Sequence, residues 1–250
     1  MKHLLIAPDG RRFPKLDVIR AIAITLMIVD HALLIFLPDN SGTSILRATL
    51  TRSAEPLFIF VLATLTISRN QRMKLGRWFQ IAMVSSITSA ILSHELGYAM
   101  ADILVSIALV SPFIPALIRL PRIWLYVSAS LAIIPISFHG VAMDYSPALL
   151  IHQVLLTKVA FERDGRMLGP LCLSALVALV TGGVLVHWGV GISLVLLVIV
   201  IGHPLAALVV WTIATVNTES ERAAIRWTRH SLAIYAVHLV ILSSARSAFG

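Results

Sequence analysis

The chain has 250 residues, of which 58% are hydrophobic and 13% are charged, and its formal net charge is +8. About a quarter of the residues in an ordinary soluble domain are charged, so this composition excludes a soluble globular domain of this length. The basic residues lie between apolar runs, which indicates membrane topology and contact with anionic lipid rather than binding of nucleic acid.

Apolar runs close to the ~20 residues of a membrane crossing recur along the whole sequence. Because lipid offers the backbone no hydrogen-bond partner, each run is predicted to be an α-helix. The predicted fold is all-α: a polytopic membrane protein with one transmembrane domain over residues 1–250, beginning with a basic cytosolic tail at residues 1–15. The nine predicted spans are Leu16–Leu37, Ala54–Ser68, Trp78–Ser93, Ala101–Ile118, Ile123–Phe138, Ser146–Phe161, Leu168–Val186, Gly191–Val216 and Ser231–Ala245.

The basic residues predict which side of the membrane each loop occupies. If nine spans alternate, 16 of the 20 Lys and Arg residues fall on one side. The other side has Arg47, Arg52 and Arg246, and Arg20 lies within the first span. This asymmetry predicts a multi-pass membrane protein with its N-terminus in the cytosol and its C-terminus outside.

The first span contains the most informative group of ionisable residues. A charged side chain at a helix centre costs roughly 2.5–3.5 kcal/mol on the insertion scale, so such residues need a reason. Arg20 and His31 are eleven residues apart, close to three turns, and therefore share one face about 16 Å apart. Asp17 lies on that face one turn before Arg20, and Asp30 adjoins His31. The alternative is an Arg that faces headgroups and a His satisfied in the bundle core.

Three other polar residues each allow two interpretations. Glu55 precedes Pro56 at the start of the second span, where a carboxylate either stabilises the helix N-terminus or acts in catalysis. Asp102 opens the fourth span with the same ambiguity. His238, three residues after Tyr235 in the ninth span, is equally compatible with a structural and a functional role.

Nine histidines raise the question of a metal site. The sequence has no HExxH motif, no cysteine pair and no tight spacing of His and carboxylate residues. No metal site and no permanently bound cofactor are therefore predicted.

The first span resembles a motif of a known group of membrane enzymes. Residues 16–31, LDVIRAIAITLMIVDH, resemble the first helix of the membrane-bound acyltransferase superfamily, in whose type 3 acyltransferases an Arg precedes a His by the same interval. The Met27–His31 ending looks like the TraX branch, whose members acetylate conjugative pilin. The helix also resembles the heparan-glucosaminide acetyltransferase-like branch.

Three later segments resemble that latter branch in the same order. Residues 52–60, RSAEPLFIF, are similar to its second helix. Residues 102–109, DILVSIAL, resemble its "N-I-L-F-T-L" segment, with Asp102 where Asn is usual. Residues 234–242, IYAVHLVIL, resemble its Tyr–Pro–x–His–Leu helix but lack the proline.

The resemblance implies transfer of an acetyl group from acetyl-CoA, as donor substrate, to a pilin subunit or a glycan. It implies His31 as the general base, with Asp30 or Glu55 fixing its tautomer. The same reading assigns the donor site to basic residues at the cytosolic end, Arg20, Arg69 and Arg72. It assigns further polar groups of the pocket to His238, Tyr235 and Asp102.

Two other classes of function remain open on the sequence. A proton-coupled transporter would use Asp30 and His31 as a relay, although the sequence shows no internal repeat of the kind that transporters have. A non-enzymatic assembly factor for a pilus or secretion machine predicts that His31 is dispensable.

Overall fold

The computed structural model describes residues 14–37, 54–69, 74–132, 142–143, 147–162, 208–209, 212–213 and 230–249. Helices make up nearly all of this part of the chain, in agreement with the all-α prediction. In chain order the elements are α1 (Pro14–Phe36), α2 (Ala54–Arg69), α3 (Leu75–Leu96), β1 (Met100–Ala101), α4 (Ile103–Val110), a 3₁₀ turn (Ser111–Phe113), α5 (Ile114–Leu117), α6 (Ile123–Ala132), β2 (Ala142–Met143), α7 (Pro147–Glu162) and α8 (Ser231–Phe249).

Predicted spans and observed helices agree closely over much of the described chain. The first, second and sixth spans differ from α1, α2 and α7 by at most two residues at either end. Helix α3 extends three residues beyond its predicted span at both ends, and α8 continues four residues further than predicted. The seventh span, Leu168–Val186, lies outside the described residues, as does all of the eighth except residues 208–209 and 212–213.

Two of the described helices are long and apolar enough to cross a membrane, by length and composition. They are Lys15–Phe36 within α1 and Ser231–Ala248 within α8. Shorter apolar stretches occur at Pro56–Ile67, Leu104–Leu117 and Leu150–Val159. The number of nine spans and the cytosolic N-terminus stay predictions.

The predicted fourth span, Ala101–Ile118, is not one continuous α-helix. The 3₁₀ turn that interrupts it contains Pro112. Proline has no N–H, so the Ala108 carbonyl four residues earlier cannot receive its usual helical hydrogen bond. The Trp78 indole Nε1–H donates to that carbonyl at 2.7 Å, and this bond connects α3 to α4 where the helix is broken.

Helices α1, α3, α4 and α8 surround the region in which the predicted site residues meet. Helix α8 packs against α1 and α3, and α4 packs against α3. Helix α2 packs on α1 and on α7, which also contacts α4 and α6. Fully buried side chains include Ile24 of α1, Leu92 of α3 and Leu239 of α8. In lipid, helix association of this kind depends on close packing and interhelical hydrogen bonds.

Asp102 is held at the N-terminus of α4 by bonds to α3. The preceding strand β1 pairs in parallel with β2, with Met100 opposite Ala142. The Met100 N–H donates to Ser93 Oγ at 2.9 Å, and the Asp102 N–H donates to Ser89 Oγ at 3.1 Å. These bonds fix the point from which the Asp102 side chain enters the bundle.

Candidate active site

Two of the predicted site residues, His31 and His238, contact each other directly. His31 Nδ1 lies 2.8 Å from His238 Nε2, and the ring planes differ by only 9°, with centroids 5.1 Å apart. His31 is 3% exposed and His238 is 8% exposed. The pair is therefore a buried contact between α1 and α8.

The hydrogen bonds of this pair assign the proton on each ring. His238 Nδ1 lies 3.1 Å from the Ile234 carbonyl oxygen, which can only accept, so His238 Nδ1 carries a proton. The Nε2 of a neutral His238 then has no proton and accepts from His31 Nδ1. In this assignment, which follows from the hydrogen-bond network, neutral His31 has its proton on Nδ1. The unprotonated Nε2 can then accept a proton. His238 thus contacts the ring nitrogen of His31 that corresponds to the one a carboxylate contacts in a hydrolase triad.

Tyr235 lies against both imidazole rings. Its ring is nearly perpendicular to that of His31, at 84° and 6.0 Å, and to that of His238, at 85° and 5.4 Å. The Tyr235 hydroxyl donates to Asp102 Oδ1, and Thr88 Oγ1 lies 2.6 Å from Asp102 Oδ2. The structure therefore joins His31, His238, Tyr235 and Asp102 in one buried cluster, and it adds Thr88, which the sequence analysis did not select.

The structure describes the side chain of only one of the two carboxylates suggested as partners of His31. Asp30 is buried, at 8% exposure, but adjacent residues of a helix point about 100° apart, so it does not share the face of His31. His31 Nδ1 contacts His238, and the suggestion that Asp30 or Glu55 fixes the tautomer of His31 stays a prediction. Glu55 lies in the first turn of α2, and its side chain is outside the part of the chain that the structure describes.

A cavity of about 430 Å³ lies between α1, α2, α3, α4 and α8. Three basic residues line it: Arg20 of α1, and Lys74 and Arg77 at the start of α3. Much of the remaining lining is apolar and includes Phe58 and Leu62 of α2. The cavity lining thus combines three cationic groups with many apolar side chains.

The apolar part of this cavity approaches the histidine cluster along two helices. Leu104 lines the cavity and follows Asp102 by two residues, about 3 Å along the helix axis. Leu232 also lines it and precedes Tyr235 by three residues, about 4.5 Å. On both helices the cavity lining therefore comes within about one turn of the cluster, and none of the cluster residues is itself part of the lining.

The predicted donor-site residues have different outcomes. Arg20 Nη1 lies 3.3 Å from Asp17 Oδ1, one turn earlier, as their spacing predicts. Arg69 is the last residue of α2, but its side chain and the whole of Arg72 lie outside the described residues. Lys74 and Arg77 were predicted only as two of the 16 basic residues on the cytosolic side. Loop composition alone could not show which basic residues face a cavity.

Another buried histidine lies apart from this cluster. His152 of α7 is fully buried, and its Nδ1 lies 3.3 Å from Ser128 Oγ of α6. It therefore contributes to the packing of α6 on α7. Within the described ranges, no group of three or more His, Cys, Asp or Glu residues is placed to hold a metal ion.

Comparison with known proteins adds a family to this geometry. No curated protein and no solved structure matches the sequence. The family model described as "TraX protein" matches residues 15–246, a range that includes every residue of the histidine cluster and Arg20. The chain therefore belongs to the TraX family.

Proposed function

We propose that this protein is a membrane-embedded acyltransferase that moves an acetyl group from acetyl-CoA to an amine or hydroxyl of an envelope acceptor. The observation that carries this proposal is the His31–His238 pair, whose hydrogen bonds leave His31 Nε2 as a buried proton acceptor. Acyl transfer to an amine or hydroxyl needs such a base, because these nucleophiles are weak until their proton is removed.

The reaction proceeds by attack of the acceptor nitrogen or oxygen on the thioester carbonyl carbon. His31 Nε2 takes the acceptor's proton as the new C–N or C–O bond forms. The C–S bond then breaks, and the coenzyme A thiolate leaves with the bonding pair and receives the proton from the His31 imidazolium. The bond from His31 Nδ1 to His238 Nε2 spreads the transient positive charge over two rings.

The donor occupies the basic cavity in this proposal. Coenzyme A carries several phosphate charges, which guanidinium and ammonium groups bind well, and Arg20, Lys74 and Arg77 line the cavity. Helix α8 also begins at this cavity, since Ser231 lines it, and the N-terminus of a helix attracts phosphate. The apolar interior takes the pantetheine arm and directs the thioester toward His31.

The acceptor reaches His31 from the side opposite the basic loops. If those loops are cytosolic, the donor enters from the cytosol and the acceptor enters from the membrane or the outer face. A membrane-inserted pilin subunit fits this arrangement, and so does a glycan on the outer side of a bacterial inner membrane. Membership of the TraX family favours pilin, because acetylation of conjugative pilin is what the resemblance of the first helix implies.

Reconstituted protein provides the test. Purified protein in lipid nanodiscs is incubated with acetyl-CoA labelled in the acetyl group and with pilin or envelope glycans, and label transfer is followed by mass spectrometry. We expect acetylated acceptor from the unmodified protein and none from His31→Gln. Loss of transfer in a matched control, His94→Gln, would contradict the proposal, because the His94 side chain is 84% exposed and lies outside the cluster.

The same experiment separates the competing functions. If neither pilin nor any glycan fraction receives an acetyl group, the acyltransferase proposal fails. The protein would then be reconstituted in vesicles of the same lipids, and proton flux that depends on His31 would indicate a transporter. Pilus assembly that survives His31→Gln without any acetyl transfer would indicate an assembly factor.

A further inference from the structure

The tautomer of the histidine pair depends on the orientation of both rings. Rotation of either ring about its Cβ–Cγ bond would separate His31 Nδ1 from His238 Nε2, which lie 2.8 Å apart. This torsion of histidine has broad, soft preferences, so the rings do not fix themselves. Neighbouring groups must hold them.

Tyr235 is the neighbour that contacts both rings. Its ring is perpendicular to each of them within a few degrees, at centroid distances of 6.0 and 5.4 Å. Edge-to-face contacts of this kind are favoured by the charge distribution of aromatic rings. A rotation of His31 or His238 away from their common plane would disturb these contacts as well as the bond between the two histidines.

Tyr235 is itself fixed through Asp102. The Asp102 carboxyl, which is 0% exposed, accepts the Tyr235 hydroxyl on Oδ1. On its other oxygen it meets Thr88 Oγ1 at 2.6 Å, and its backbone N–H is bonded to Ser89 Oγ. The bonds to Thr88 and Ser89 therefore fix the orientation of the Asp102 carboxyl group independently of its contact with Tyr235.

We propose that Asp102 and Thr88 are positioning residues, which hold the Tyr235 hydroxyl so that the Tyr235 ring keeps the His31–His238 pair aligned for proton removal. This inference rests on the proposed acyl transfer. Asp102 and Thr88 act through Tyr235 and do not touch the substrate. Contacts from α3 and α4 thus determine the geometry of a base carried by α1.

Acetyl-transfer kinetics in nanodiscs test this arrangement. Tyr235→Phe keeps the ring and removes the hydroxyl, and we expect kcat to fall about 10- to 100-fold, the range that a small misplacement of a catalytic group can cost. The KM for acetyl-CoA should stay within about twofold, since a positioning residue affects the chemical step rather than donor binding. Tyr98→Phe, at an exposed tyrosine, is the matched control and should retain wild-type kcat.

Variants of Asp102 separate positioning from simple packing. Asp102→Ala should lower kcat by about as much as Tyr235→Phe does. The double variant should be no slower than Asp102→Ala, because both substitutions remove the same Tyr235–Asp102 hydrogen bond. Asp102→Asn should retain kcat within about threefold, since its amide can accept from Tyr235 and donate to Thr88. Additive losses, or an Asn variant as slow as the Ala variant, would overturn the proposal.

Nitrogen-15 NMR of the imidazole rings gives a readout that needs no turnover. The unmodified protein should show His31 protonated on Nδ1, and Tyr235→Phe should show a mixture of tautomers. If the tautomer is unchanged in Tyr235→Phe and in Asp102→Ala, the positioning role is wrong. If the tautomers shift as expected but the unmodified protein transfers no acetyl group, the positioning role stands and the acyltransferase proposal fails.

Discussion

The two ends of the contact between α1 and α8 differ in their physical character. At one end His31, 3% exposed, is bonded to His238 in a buried cluster. At the other end Arg20, whose side chain is 23% exposed, lines a cavity with Lys74 and Arg77. Fixed, buried partners suit a proton acceptor, whereas cationic groups beside a cavity suit reversible binding of an anion. In the proposed function, chemistry and donor binding therefore occupy opposite ends of one helix face, about 16 Å apart.

Membrane orientation is the prediction whose failure would break this comparison completely. We expect reporter fusions to place the loop around residues 70–73 in the cytosol and residue 250 outside, because basic loops stay cytosolic. The readout is an all-or-none pair of enzyme reporters active on only one side. A cytosolic position for residue 250 would place the Arg20 end of the contact between α1 and α8 on the outer side, where a cytosolic donor could not reach it.

Removal of the base is expected to have the largest effect on rate. His31→Gln keeps hydrogen-bonding capacity but cannot take a proton, so kcat should fall about 10²- to 10⁴-fold. Steady-state acetyl transfer by purified protein is the measurement. The exposed-site variant His94→Gln should turn over at the wild-type rate, and near-normal transfer by His31→Gln would mean that the base lies elsewhere.

Removal of the cation at the other end should change affinity instead. Arg20→Ala should raise the Kd for acetyl-CoA by about tenfold, since a charge-assisted hydrogen bond contributes roughly 1.5–3 kcal/mol. Titration calorimetry measures this, and added salt should weaken binding to the unmodified protein more than to the variant. Arg119→Ala, at an exposed arginine outside the cavity lining, is the control; an unchanged Kd for Arg20→Ala would remove Arg20 from the donor site.

The smallest effect is expected at a bond whose two residues neither line the cavity nor belong to the histidine cluster. Trp78→Phe leaves the Ala108 carbonyl, opposite Pro112, without its indole donor, which should lower stability by about 1 kcal/mol. Thermal unfolding in detergent provides the measurement. Neither kcat nor Kd should change by more than about twofold, so a large kinetic effect would show that the two ends are not as separate as their geometry indicates.

Much of the helical architecture could be predicted because apolar length is a local property. Helices α1, α2 and α7 match their predicted spans within two residues. The break in the fourth span was missed, because mostly apolar sequence continues on both sides of Pro112. The compensating donor, Trp78, is 30 residues away in sequence, and no local pattern connects the two.

The resemblance grouped His31, His238, Tyr235 and Asp102 in one pocket, and the structure brings these residues together. Arg20 and Asp17 form the ion pair that their spacing predicts. The direct contact between His31 Nδ1 and His238 could not be predicted from spacing, since the two residues are 207 positions apart, and the resemblance named His238 only as a further polar group of the pocket. Thr88 has no signal in the sequence that separates it from other helical hydroxyls, and it becomes identifiable only through its contact with Asp102.

The separation of binding from chemistry is tested most directly by measuring Kd and kcat for the same two variants. Acetyl-CoA affinity by calorimetry and acetyl transfer at saturating donor are determined for His31→Gln and Arg20→Ala in the same nanodiscs. We predict an unchanged Kd with kcat lost in His31→Gln, and a raised Kd with kcat largely retained in Arg20→Ala. If either variant changes Kd and kcat together, or if the effects are exchanged between the two variants, the account is contradicted.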